Sequence, residues 1–342
     1  MQVDQFDYHL PPEAIAQTPI EPRDASRLLV LDRGRAKVSH RSFRDLPQLL
    51  TPGDLLVLND SRVIPARLFA RRGDLGGARI EVMLLHQVGP DTWEVLVRPG
   101  RRVPVGTRLL FGGGEMAADV LGATDFGGRT VAFSYEGDWH SMLARLGHTP
   151  LPPYIHEPLA DPERYQTVYA RQAGSVAAPT AGLHFTRALL ERLNATGIGV
   201  AYITLHVGLG TFRPVAAVNV EDHVMHAEFY TLPMETAAAI SKTRADGRRV
   251  VAVGTTAVRT LESATDAEGR ITAGSGWTNI FIYPGYHFRA VDALVTNFHL
   301  PRSTLLMLVA AFADRESILA AYREALEAGY RFFSFGDAML IL

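Results

Sequence analysis

The sequence predicts an α/β protein: a mostly parallel sheet with helices on both faces, plus an inserted small antiparallel β-barrel domain. Downstream of residue 162, strand-like and helix-like stretches alternate, the pattern of strands joined by helical crossovers. From 62 to about 136 the texture changes to short β-type runs broken by RRGDLGG, QVGPDT, RPGRRVPVG, FGGGE and TDFGGR, with no helical stretch between them. Such closely spaced turns indicate a small barrel or sandwich. Strand-like runs also precede this region, so the barrel interrupts the α/β domain. The expected division is a discontinuous α/β domain over 1–60 and 150–342 and a barrel over 61–149.

A chain of 342 residues with 47% hydrophobic content has ample core for two globular domains. Its longest apolar run, Leu305 to Ala313, is nine residues and too short to span a bilayer. No signal-peptide pattern opens the chain, so the expected compartment is the cytoplasm. The absence of cysteine excludes disulfides, thiolate metal sites, iron-sulfur clusters and a cysteine nucleophile. The net charge of -2 points to no nucleic acid by itself, but residues 61–110 hold nine arginines against Asp74, Glu81, Asp91 and Glu94. That excess suits phosphates, although a charge run is more often a solvated face, and genome composition favours arginine equally well.

Taken in order, FDYHLPPEAIAQTP is an extended, proline-punctuated arm, followed by two strands, RLLVLDR and KVSHRSF, around Gly34. DLLVLNDSR (54–62) is a third strand, whose terminal Asn59, Asp60, Ser61 and Arg62 either position a ligand or cap a turn. Trp139 opens a short helix over 139–146, and the proline-rich stretch 148–162 is an extended linker. A helix follows Thr186, which can cap its first turn; it buries Leu189, Leu190 and Leu193 and stops at Gly197. The apolar run from Ile198 to Leu205 reads as a buried strand. Beyond it lie a helix over 233–246, the strand RRVVAVG, the helix TTAVRTLESA, the strands NIFIYPG and ALVTNF, helices over 303–313 and 316–328, and a last strand in RFFSFGDAML.

Two Gly-rich loops, GSVAAPTAGLHFT (174–186) and ITLHVGLGTFRP (203–214), bracket the Thr186 helix and carry His184 and His206. Singly, each histidine reads equally well as a hydrogen-bonded loop residue; as a pair on adjacent open loops they favour a site at the carboxyl edge of the sheet. Gly254, Thr255 and Thr256 begin a helix after a buried strand, which suits a carboxylate or phosphate, or plain capping. His223, His226 and Glu228 have metal-like spacing but lack the H-E-x-x-H pattern, and we read them as an acid/base and hydrogen-bond cluster with no metal. Asn297 and His299 fall at a strand end, and Asp337 follows glycine near the terminus.

The phrases FDYHLPPEAIAQ, RDASRLLVLD, NDSRVIPARL, GSVAAPTAGLHFT, TLHVGLGTFRPV, HVMHAEFY, GTTAVRTLES, NIFIYPGY, TNFHLPRSTLLMLVAAF and GYRFFSFGDAML together resemble the S-adenosylmethionine:tRNA ribosyltransferase-isomerases of queuosine biosynthesis. The resemblance covers nearly the whole chain and is weakest over 111–147. It implies an α/β domain with an inserted β-barrel and no metal or redox cofactor, S-adenosylmethionine being a co-substrate. The implied reaction moves the ribosyl part of S-adenosylmethionine to the 7-aminomethyl group of a 7-deazaguanine at the tRNA wobble position, releasing adenine and methionine. The implied partner is tRNA with a GUN-type anticodon, met by a monomer without membrane contact.

Such chemistry needs proton transfers, for which we assign His184 and His206 first, then His226, Glu228 and His299. Substrate binding is assigned to Asn59, Asp60, Arg62, Thr180, Gly182, Phe185, Gly208, Gly210, Phe212, Gly254, Thr255, Thr256, Asn297 and Asp337. Among these, residues 254–256 would hold the methionine carboxylate and Asp337 the ammonium or ribose. Phe185, Phe212 or Phe298 would stack on adenine or face the sulfonium. The rival readings are an S-adenosylmethionine-dependent RNA methyltransferase, which the missing Gly-rich loop after the first strand disfavours, and a non-catalytic RNA-binding protein.

Overall fold

The computed structural model describes residues 1–35, 37–73, 77–124, 126–208 and 215–342. It forms two compact units, one comprising Met1–Arg62, Pro153–Gln172 and Ala178–Leu342, the other Val63–Pro152 and Ala173–Ala177.

The first unit is organised by a nine-stranded sheet with the order Gly274–Thr278, Glu228–Leu232, Gly199–Leu205, Leu55–Asn59, Val250–Val253, Ala293–Asn297, Ala338–Ile341, Arg27–Asp32, Lys37–Ser42. Four successive strands, from Gly199–Leu205 to Ala293–Asn297, run parallel. All five residues of Leu55–Asn59 and all four of Val250–Val253 are buried, as the apolar runs 55–58 and 250–253 require.

The sheet is mixed rather than mostly parallel. Ala338–Ile341 runs antiparallel to Ala293–Asn297, and Arg27–Asp32, parallel to Ala338–Ile341, therefore also opposes the central strands. The cause lies in the connection. One crossover helix returns the chain to begin a parallel strand, but two helices, Thr304–Ala313 and Arg315–Glu327, separate this pair, and the second reverses the direction again. The outer pairings of Arg27–Asp32 with Lys37–Ser42 and of Gly199–Leu205 with Glu228–Leu232 are antiparallel as well.

Local signals fix most helix ends. Thr186 accepts from the Leu189 amide at 3.1 Å to open Arg187–Ala195, and Ser303 does the same for Leu306 at 3.2 Å ahead of Thr304–Ala313. Two strand expectations shift. The edge strand is Gly274–Thr278, not NIFIYPG; there the Ile280 amide donates to Thr278 Oγ1 and its carbonyl accepts from Arg259, so side chains replace a ladder. The terminal strand is confined to Ala338–Ile341, because residues 331–337 form a turn in which Asp337 accepts from the Arg331 amide at 2.9 Å.

The second unit is a closed antiparallel barrel of six strands: Arg67–Arg72, Arg79–Gly89, Thr92–Arg98, Arg108–Phe111, Met116–Ala123 and Arg129–Tyr135. Inward residues such as Leu68, Val82, Val95, Leu109, Ala118 and Val131 are fully buried, and most of their neighbours along the strands are more accessible, as the pleat requires.

Asp54, just before the central strand, is buried and accepts from the Thr51 amide at 2.8 Å and the Arg249 guanidinium at 2.6 Å. Burial alone would raise its carboxyl, but Arg249 and the amides outweigh burial and hold it below its ordinary value near 3.8. A depressed folded-state pKa gives stability that is complete above the ordinary value and lost as pH falls through the lower one. We expect Asp54→Asn to cost about 1–3 kcal/mol at neutral pH, with the gap to the unsubstituted protein closing below about pH 4 in denaturant titrations. A gap that does not change with pH would contradict this role.

Candidate functional site

Because the central strands are parallel, their carboxyl ends deliver His206, Gly254 and Asn297 to one edge of the sheet. Gly254 has φ +86°, a left-handed conformation that allows the chain to leave the strand and begin the helix Thr255–Ser263 without a linker. A pocket with a cavity volume of about 80 Å³ opens at this edge. Its walls are residues 178–181, 254–256 and 296–300, with Ser303 and Leu305 at the start of the next helix, and Tyr154, Val207, Phe333 and Ser334.

Of the residues expected from sequence, Thr180, Gly254, Thr255, Thr256, Asn297 and His299 line this pocket. The Thr256 hydroxyl is buried with no hydrogen-bond partner among the described residues, at the amino end of a helix where the dipole favours an anion. Asn297 is a hub: its Oδ1 accepts from the Thr180 hydroxyl at 3.0 Å, and its Nδ2 faces His184 Nε2 and the Phe333 carbonyl, each at 3.2 Å.

The histidines fall into distinct environments. His184 lies behind Asn297, stacked on Phe43 at 5.0 Å, with Nδ1 2.7 Å from Ser26 Oγ. Burial first, then Arg331 and Arg23, push it down to about 3. Burial likewise lowers His299 to about 3, and its Nε2 pairs with Thr296 Oγ1 at 2.8 Å. His206 is half-buried beside the pocket residue Val207; its Nδ1 has no hydrogen-bond partner among the described residues. Burial lowers its pKa more than nearby Asp60 raises it.

Other expected residues serve the scaffold. Glu228 is buried against Arg259 in an ion pair and also accepts from the Gly208 amide at 2.8 Å, so both carboxylate oxygens are committed to nitrogen donors. His226 is exposed, and burial together with this neighbour lowers His223. Asn59 bonds both backbone groups of Leu205, Asp60 takes Thr204 at 2.6 Å and Arg171 at 2.9 Å, and Arg62 pairs with Glu163. The turn reading of this segment is the one the geometry supports. Gly182 is demanded by packing, since a Cβ there would sit 2.1 Å from the Tyr169 hydroxyl. Phe185 is wholly buried in the core beside Phe43, and the Phe298 ring stacks on Phe332 at 4.6 Å although the residue borders the pocket. Asp337 gives its two oxygens to the amides of Arg27 and Arg331, which leaves the turn, not a ligand, as its occupation. Gly210 and Phe212 lie outside the described residues.

Sequence reasoning missed the aromatic wall. Tyr154, in the segment read as a linker, stacks on Phe333 at 4.8 Å and shares a 2.7 Å hydrogen bond with Ser334. Phe333 has φ +69°, a strained conformation for a side-chain-bearing residue, and such strain concentrates at ligand sites. No local signal marks either residue.

A family model described as queuosine biosynthesis protein matches residues 3–341. An S-adenosylmethionine:tRNA ribosyltransferase-isomerase from Moorella thermoacetica is 64% identical, and one from Symbiobacterium thermophilum 60%, each over 100% of both chains. A crystal structure of S-adenosylmethionine tRNA ribosyltransferase from Thermotoga maritima is 44% identical, with a TM-score of 0.56, covering 99% of this chain and 100% of that one.

Proposed function

The chain belongs to the queuosine biosynthesis protein family, and from that membership we infer that it carries out the S-adenosylmethionine:tRNA ribosyltransferase-isomerase reaction. The ribosyl part of S-adenosylmethionine is transferred to the 7-aminomethyl-7-deazaguanine at the wobble position and rearranged, giving epoxyqueuosine with release of adenine and methionine. The observation that carries this reading is full-length identity to relatives so named, joined to a pocket at the carboxyl edge of the sheet with a helix amino end on one side and an aromatic wall on the other.

In this reading residues 254–256 receive the methionine carboxylate, supported by the helix dipole and by the Thr256 hydroxyl, which has no hydrogen-bond partner among the described residues. Tyr154 and Phe333 replace Phe185 as the aromatic surface for adenine. The sulfonium acidifies the ribose C5' protons, so a base removes one as adenine departs, and adenine leaves more readily when protonated. The acceptor amine then loses a proton as it attacks. His206 is the acid/base candidate we place first, because its half-buried ring keeps a nitrogen without a hydrogen-bond partner among the described residues. His299, neutral at the pocket wall, comes next, and Glu228 supports the 206 loop through the Gly208 amide. Every step is a proton transfer or a bond rearrangement without net oxidation, so the scheme calls for no cofactor beyond S-adenosylmethionine. The partner is tRNA with a GUN-type anticodon, and we take the protein to act as a cytoplasmic monomer.

The barrel arginines divide by partner. Arg67 and Arg108 pair with Glu81 and Asp119, Arg71 donates to the Gly77 carbonyl, and Arg79 lies over Phe69. Arg101 and Arg102 are exposed and have no ion-pair partner among the described residues. Their turn is pinned by Arg129, which donates to the carbonyls of Val103 at 2.6 Å and Gly100 at 3.1 Å. We assign these two to anticodon-loop phosphates.

Incubation with S-adenosylmethionine and tRNA bearing the 7-aminomethyl base, followed by mass analysis of nucleosides, should show the ribosyl-derived gain with free adenine. A methyl-sized gain with S-adenosylhomocysteine would replace this reading with methyl transfer. His206→Gln should lower kcat about 100- to 10,000-fold while calorimetric binding of S-adenosylmethionine persists. Since the neutral imidazole is the base and its pKa is depressed, the acidic limb of kcat/KM should fall below pH 6.5; a limb at or above that value counts against His206. Replacing Arg101 and Arg102 by alanine should reduce the logarithmic salt dependence of tRNA binding by roughly 1.5, and an unchanged slope rejects the phosphate assignment.

A further inference from the structure

His184 is engaged on both ring nitrogens, and the identity of its partners decides where its proton sits. The Phe333 carbonyl can only accept, so the Asn297 group 3.2 Å from it must be the NH2. The same nitrogen lies 3.2 Å from His184 Nε2, and its second hydrogen points there. Nε2 must therefore offer a lone pair, which leaves the ring proton on Nδ1, donated to Ser26 Oγ at 2.7 Å. Protonating Nε2 would set two donors against each other inside the core, where the ring is 4% exposed and stacked on Phe43. The charged groups around it, Arg23 and Arg331, also oppose a second proton.

With both amide hydrogens used, Asn297 has one remaining capacity, the second lone pair of Oδ1, whose first takes the Thr180 hydroxyl. Asn297 and Thr180 both line the pocket. We propose that His184 is a positioning residue acting through Asn297: its Nε2 lone pair takes the second amide hydrogen and, with the Phe333 carbonyl on the first, locks the amide so that the pocket presents an oxygen, and the ligand group that meets it must be a hydrogen-bond donor. A freely turning amide would offer either face and bind an acceptor equally well. This deepens the reading of the pocket as the S-adenosylmethionine site, whose amino and hydroxyl groups supply such donors, and it moves His184 out of the acid/base set.

The test begins with nitrogen-15 imidazole spectra of the full-length protein. His184 should show one neutral Nδ1–H tautomer, unchanged from about pH 5.5 to 8; titration in that window, or a proton on Nε2, overturns the assignment. This measurement needs no turnover, so it fails independently of the transferase reading. For function, His184→Gln can set an amide oxygen where Nε2 stood but cannot carry a proton at neutral pH, whereas His184→Phe keeps the ring and removes the acceptor. The glutamine variant should retain kcat/KM within about 5-fold, and the phenylalanine variant should raise KM for S-adenosylmethionine about 10- to 100-fold with KM for tRNA unchanged. Equal, large losses of kcat in both variants would mark a proton carrier and overturn the proposal.

Discussion

The parallel alignment of Leu55–Asn59 with its two neighbours is the constraint on which the remainder of the first unit rests. Its apolar side chains are buried on both faces, and its register is closed at each end by polar groups. Asp54 ties its start to Arg249, and Asn59 bonds both backbone groups of Leu205 at its end. A one-residue slip would break both clamps and turn the apolar set over. Register in turn fixes where each neighbouring strand stops, and so where His206 and Gly254 emerge. The pocket is thus a consequence of strand alignment before any loop conformation is considered.

A buried ion pair supports the same edge from the side. Arg259, on the helix that begins at the pocket, meets Glu228 on the neighbouring antiparallel strand, and Glu228 holds the Gly208 amide. Removing the guanidinium would strand a carboxylate in the interior, a larger loss than the pair itself contributes. The arrangement couples the helix carrying Thr255 and Thr256 to the loop carrying His206. What first reads as a metal-like H-x-x-H-x-E spacing is, through its glutamate, a brace.

The three histidines near the pocket show how environment, not residue type, assigns chemistry. His184 and His299 are buried and hydrogen-bonded, which favours the neutral ring. His206 is half-buried, and its Nδ1 has no hydrogen-bond partner among the described residues, so that nitrogen is not committed to the scaffold they form. Phe333 shows a related division: its strained backbone is held because its carbonyl serves Asn297 and its ring serves Tyr154.

The sequence by itself determined what depends on near neighbours along the chain. Helix starts at Thr186 and Ser303, the left-handed stops at Gly197 and Gly247, and the buried strands around Val57 and Val251 all follow from contacts within a few residues or from simple periodicity. The family phrases were legible for the same reason, being local strings. Only the tertiary structure decided the direction of Ala338–Ile341, the choice of Gly274–Thr278 as the edge strand, and the burial of His184. Ser26 and His184 are 158 positions apart, and Tyr154 and Ser334 180 apart. No local pattern encodes such meetings, because they arise when separate strands align in one sheet and bring their ends to a common edge.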